Sequence, residues 1–176
     1  MHNDIIILGG NTSNNVKWLK QMVNVYKKNY NVFALSFDNW KDNSMIDFKK
    51  EGKKLIQLCD KKENYIIIAK SAGAVLTAME IDKKNITPSI FIVLGLPLKF
   101  SFENHIDIKK IFNKINDKCK ILIIQQKFDP QGSVRKVVDM FGETILIKPI
   151  NGNKHIYANF LPIKKEVDFF IESNLL

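Results

Sequence analysis

Arginine is almost missing from this chain: of 27 basic residues only Arg135 is arginine, and the other 26 are lysine. Arginine's planar fork is what nucleic-acid readers use on phosphate and guanine. Its lack argues against such a partner despite a net charge of +9. The lysines fall in scattered pairs such as Lys27-Lys28, Lys53-Lys54 and Lys109-Lys110, a pattern of solvated basic surface. Cysteine is scarce too. Cys59 and Cys119 cannot form a disulfide scaffold, and neither has metal-ligand spacing to a partner. The three histidines, His2, His105 and His155, offer no ligand pair, so neither a metal nor a cofactor is expected. No apolar run nears the ~18 residues of a membrane span, so no membrane partner is expected. Glycine and proline, at 8 and 5, are too few for a low-complexity chain, and 45% hydrophobic content excludes a disordered one. Met1-His2-Asn3-Asp4 has no basic leader, so a cytoplasmic protein is expected, and the Asn-x-Ser/Thr matches at Asn11 and Asn85 carry little weight.

What is present is alternation. Asp4–Leu8, Asn31–Ser36, Tyr65–Ala69, Ser89–Leu94, Lys120–Gln125 and Thr144–Lys148 read as strands. Their apolar residues are mostly continuous, as in strands covered on both faces of a parallel sheet. Between them run helical stripes: Val16, Leu19, Met22, Val23 and Tyr26; Met45, Phe48, Leu55 and Cys59; Ile108, Ile111, Phe112 and Ile115; Val134, Val137, Val138 and Phe141; Ile163, Val167 and Phe170. Six strands alternating with six helices leave no room for a second domain in 176 residues. The expectation is one α/β domain over residues 1–176, a three-layer sandwich with a mostly parallel sheet.

In such a sheet, functional residues collect at the carboxyl ends of the strands. The segment Ile66-Ile67-Ile68-Ala69-Lys70-Ser71-Ala72-Gly73 runs from strand to helix with only Lys70 and Ser71 at the corner. So sharp a turn needs a strained backbone at Ser71 and small neighbours two positions either side, which Ala69 and Gly73 supply. The Ser71 hydroxyl would then stand at a helix N-terminus, where the Ala72 N–H can meet a developing oxyanion. The bland alternative is a serine that caps the following helix. A nucleophilic serine needs a base, and the base needs an orienting group. His2 sits at a terminus expected to fray, and His105 is expected to open a helix. His155, in a polar loop after the last strand, is the candidate base. Asp129, after the fifth strand and held out of helical geometry by Pro130, is the candidate acid, with Asp38 as runner-up. Lys70 reads as surface decoration, or as a hint of an acidic substrate.

The corner resembles the nucleophile elbow of the α/β-hydrolase superfamily, G-x-S-x-G, with Ala69 replacing the first glycine. The order Ser71, Asp129, His155 is the chain order of that superfamily's triad. The resemblance spans almost the whole chain and implies a small, lidless member with a six-stranded parallel sheet ordered 2-1-3-4-5-6 and no cap. It places the second oxyanion donor in Leu8-Gly9-Gly10-Asn11-Thr12, on Asn11 or Gly10, although the superfamily's usual histidine is missing there. Phe37, Trp40, Leu96, Pro97, Phe100, Phe128 and Ile156 are candidate groove walls. The implied activity is hydrolysis of a carboxylic ester or related acyl bond in a small-molecule substrate; thioesters, activated amides and small peptides yield to the same machinery. The alternatives are an acyltransferase with the same triad and a fold kept for binding without turnover. Neither G-x-G-x-x-G nor G-x-x-x-x-G-K-[ST] is present for a nucleotide.

Overall fold

The computed structural model describes residues 4–174; His2, expected at the frayed start, lies outside the described residues. Six strands, β1 (Asp4–Leu8), β2 (Asn31–Leu35), β3 (Ile66–Lys70), β4 (Ile90–Leu94), β5 (Lys120–Gln126) and β6 (Leu146–Ile150), form one sheet. Its order is β2-β1-β3-β4-β5-β6, and every neighbouring pair is parallel. In β3 and β4 every residue is buried, as are Ile5, Ile6, Ile7 and Leu8 of β1. Successive side chains of a strand point to opposite faces, so unbroken burial means that both faces are covered. The edge strands β2 and β6 are only partly buried.

The cover is helical: α1 (Asn15–Tyr26), α2 (Phe48–Cys59), α3 (Ala72–Asp82), α4 (Leu98–Glu103), α5 (Ile108–Ile115), α6 (Val134–Phe141) and α7 (Phe160–Asn174). Helix α1 packs on α7, while α3 lies between α2 and α5. Nine of the eleven residues of α3 are buried, which is why this segment shows no amphipathic stripe. In α1 the buried face is Asn15, Trp18, Leu19, Met22 and Tyr26, and Val16 faces outward. Met45 precedes α2 and is exposed, and Val138 lies on the outer side of α6.

Among the described residues seven α-helices form rather than the six expected. The addition, α4, is a single short stretch after Pro97 and fills the connection between β4 and α5, where no cap is inserted. His105 does not open α5: it sits in a left-handed turn (φ 55°), and Asp107 caps the helix by accepting from the Lys110 N–H at 3.0 Å. Strand β6 begins two residues later than Thr144, because Thr144 and Ile145 both donate to the Phe141 carbonyl in the turn that ends α6. Pro149 is tolerated inside β6 because the strand has a partner on one side only. Both cysteines are buried, and burial pushes the thiols up to about 11 at Cys59 and about 12 at Cys119. No helix among the described residues is long and apolar enough to cross a membrane.

Candidate active site

Ser71 occupies the corner between β3 and α3 with φ 53° and ψ −123°, a region that costs an L-residue about 1–3 kcal/mol. The strain is held in place from both sides. The Ser71 N–H donates to the Leu94 carbonyl at 3.1 Å, and its carbonyl accepts from Ala74 and Val75 of α3. Gly73 is required here for close approach: a Cβ would lie 2.4 Å from the Gly9 carbonyl oxygen of the neighbouring loop. The first N–H groups of a helix lack intrahelical acceptors, so Ala72 presents a free donor beside the Ser71 hydroxyl.

His155 reaches this hydroxyl from the loop after β6. Its Nε2 lies 2.9 Å from Ser71 Oγ, and its Nδ1 lies 2.8 Å from both Asp129 oxygens. A carboxylate only accepts, so Nδ1 carries the proton and Nε2 is left to accept from the serine. Asp129, its side chain fully buried, follows β5. It receives two further donors: the Gln131 N–H to Oδ1 at 2.8 Å and the Tyr157 hydroxyl to Oδ2 at 2.7 Å. Tyr157 in turn accepts from the Gln126 N–H at 2.9 Å. Burial, and then the charge of Asp129, push the Tyr157 phenol far above its ordinary range, so it remains a donor. Gly95 makes room for this ring; with φ 70°, a Cβ there would meet Tyr157 at 2.4 Å.

The loop after β1 forms the opposite wall. Trp40 Nε1 donates to the Gly10 carbonyl at 2.9 Å, and Asn39 Nδ2 donates to the Asn11 carbonyl at 2.6 Å. Asn11 Oδ1 also accepts from the Ile46 N–H at 2.8 Å. The Gly9–Thr12 backbone is thus clamped to residues 39–46, with Gly10 so close to Ser71 that a Cβ would lie 3.1 Å from the serine Cβ. Between these walls runs a groove of about 500 Å³ that reaches Ser71 and His155. Among the described residues no cluster of three or more His, Cys, Asp or Glu is placed to hold a metal.

No family model matches the sequence, and no curated protein does. Solved structures do. The ydeN gene product of Bacillus subtilis superposes with a TM-score of 0.73 at 14% identity, covering 97% of this chain and 99% of that one. Naproxen esterase (carboxylesterase NP) from Bacillus subtilis gives 0.68 at 12%, covering 96% and 84%. A putative hydrolase of the alpha/beta superfamily from Xanthomonas campestris gives 0.70 at 10%, covering 98% and 99%. This chain has the α/β-hydrolase fold. An uncharacterized protein from Bacillus cereus is also similar, with a TM-score of 0.73 at 20% identity; 97% of this chain spans 60% of that longer one.

Within this α/β-hydrolase fold, the residues proposed from sequence as nucleophile, base and acid converge, and the runner-up acid does not. Asp38 turns to α2, where hydrogen bonds from Lys50 and Lys54, at 2.9 and 2.7 Å, hold its carboxyl down at about 2. Of the candidate walls, Phe100 and Ile156 line the groove. Phe37, Trp40, Leu96 and Pro97 are instead buried in the core, and Phe128 is 74% exposed away from the groove. Trp40 serves the site from behind, through Gly10. Two participants escaped the sequence reading, Tyr157 and Asn39, and the expected surface place of Lys70 is corrected: the residue is buried. A tyrosine two residues after His155 was the one available signal for the first, and nothing in the spacing marked Asn39.

Proposed function

We propose that the protein is a serine hydrolase that cleaves a carboxylic ester, or a related acyl bond, through an acyl-enzyme. The reading rests on one arrangement: a histidine ring bridging a strained-corner serine and a buried carboxylate, each from a different βα loop. The esterase among the structural neighbours supports hydrolysis in general.

In the first half-reaction, Ser71 Oγ bonds to the carbonyl carbon while its proton passes to His155 Nε2. The carbonyl π pair moves onto oxygen, where the N–H groups of Ala72 and of Asn11 or Gly10 receive the charge. Collapse of this intermediate re-forms the carbonyl and breaks the bond to the alcohol oxygen, which leaves with the proton from Nε2. Water then takes the alcohol's place: it loses a proton to Nε2, attacks the acyl carbon, and Ser71 Oγ leaves with that proton as the acid is released. Asp129 holds the imidazole in the useful tautomer and offsets its charge while it is protonated. Trp40 and Asn39 keep the Gly10–Asn11 backbone rigid, so its donors need little reorganisation as charge develops.

A fluorophosphonate probe tests the assignment. The wild-type protein labels and Ser71→Ala does not; equal labelling of both would overturn the reading.

A further inference from the structure

Lys70 immediately precedes the nucleophile, yet its side chain is not on the surface. The residue is 7% exposed and lines the groove. Its ammonium donates to Asn15 Oδ1 at 2.9 Å and lies 5.3 Å from the centre of the Trp18 ring. No carboxylate pairs with it among the described residues. An ammonium has three protons to give, and one hydrogen bond to a neutral amide leaves two of them without a protein acceptor. A buried cation without a counter-ion is costly, and a groove ligand of opposite charge would relieve that cost.

The rest of the lining agrees. Lys154, exposed on the rim beside His155, places a second lysine in the same groove. The polar groups between them include the amides of Asn11, Asn14, Asn15 and Gln131, and no Asp or Glu lines the groove among the described residues. The one carboxylate of the site, Asp129, lies behind His155 and is already committed to three donors. A groove that offers two cations and no acid selects by charge.

We infer that the substrate carries, besides the scissile ester, an anionic group such as a carboxylate, which the groove receives between Lys70 and Lys154. This rests on the serine-hydrolase reading and names its substrate class. Burial lowers the Lys70 ammonium to about 8, against the opposing pull of Asp129. Its charge is therefore present below about pH 8 and fades above it. The titratable groups facing it are Asp129 and, across the groove, His155 and Lys154.

Matched activated esters test the inference. The wild-type protein is given mono-p-nitrophenyl adipate and its methyl ester, which differ in one negative charge on the acyl side. A second pair, the butyrate ester of 3-(4-hydroxyphenyl)propionate and its methyl ester, puts the charge on the alcohol side. In at least one pair the anionic member is expected to show a kcat/KM about tenfold higher, the scale of one added hydrogen bond to a charged group. That preference should shrink in Lys154→Gln and in Lys70→Met, and should decline in the wild type as pH rises from 7 to 9. A merely structural lysine would lower both members together and leave the ratio alone. Lys154 is exposed, so its variant reads the ratio even where Lys70→Met fails to fold. Turnover of all four esters with no preference for charge in either pair would overturn the inference and leave the hydrolase reading standing. No turnover together with no fluorophosphonate labelling would overturn both.

Discussion

Tyr157→Phe isolates what the buried phenol does for the acid. The substitution keeps the ring that fills the space over Gly95 and meets His155 edge-on, with centroids 5.8 Å apart. It also keeps the main-chain carbonyl that accepts from Trp18 Nε1 at 3.0 Å. Only the hydroxyl goes, and with it two buried hydrogen bonds: the donation to Asp129 and the acceptance from the Gln126 N–H. A hydrogen bond to a charged group is worth about 1.5–3 kcal/mol, and a buried N–H left without a partner costs about 1–3. A net loss of about 3 kcal/mol is expected, which for a chain of this size lowers Tm by about 6–12 °C. Catalysis should suffer less. Asp129 keeps the Gln131 N–H and His155 Nδ1 as donors, so the imidazole stays aimed and kcat should fall about tenfold, equivalent to about 1.4 kcal/mol. Thermal denaturation and p-nitrophenyl ester turnover on the same preparation give both numbers. An unchanged Tm would show that the hydroxyl is not spanning Asp129 and Gln126. A thousandfold loss of turnover at full stability would show that Tyr157 acts on the reacting atoms rather than through the carboxylate.

Further outcomes follow from the same geometry. Ser71→Gly and Ser71→Ala both lose the hydroxyl, but only glycine is at ease at φ 53°, so the glycine variant should melt about 2–4 °C higher, equivalent to about 1 kcal/mol; equal melting would remove the strain from the account. Trp40→Phe removes the clamp on the Gly10 carbonyl and should lower kcat about tenfold with little change in KM; an effect on KM alone would place Trp40 in substrate binding. Lys70→Met is predicted to be more favourable for stability at pH 7 than at pH 10. The folded chain holds this lysine near 8 against 10.5 unfolded, so between those values the unfolded state binds more protons and wild-type stability rises with pH, by about 3 kcal/mol from this group. Denaturant melts of the two proteins across that range check the sign, and a difference independent of pH would refute it.

The sheet and its corner were legible because their chemistry is local. The continuous β-branched runs of β1, β3 and β4 read as strands covered on both faces, and Ala69 and Gly73 around Ser71 are the small residues that a strand-to-helix corner demands. The residues that escaped notice, Tyr157 and Asn39, depend on where a loop carries them. Lys70 reads as decoration because lysine is so seldom buried, and the strand's last register, which turns it toward Asn15, cannot be seen in composition. Phe37, Trp40 and Leu96 sit beside the candidate loops in sequence, yet each is folded inward to the core and none lines the groove. Helix α4 is too short for any period to show, and β6 starts later than its sequence suggests because the β-branched run begins inside the turn that closes α6.

The two sulfhydryl groups carry a practical consequence. Both are buried, and burial raises the thiols to about 11 and about 12, which suppresses the thiolate that alkylating reagents need at neutral pH. The native chain is thus a blank background for site-directed chemistry. A single Phe128→Cys replacement, at an exposed spot outside the groove, should take a fluorophore far ahead of either native thiol.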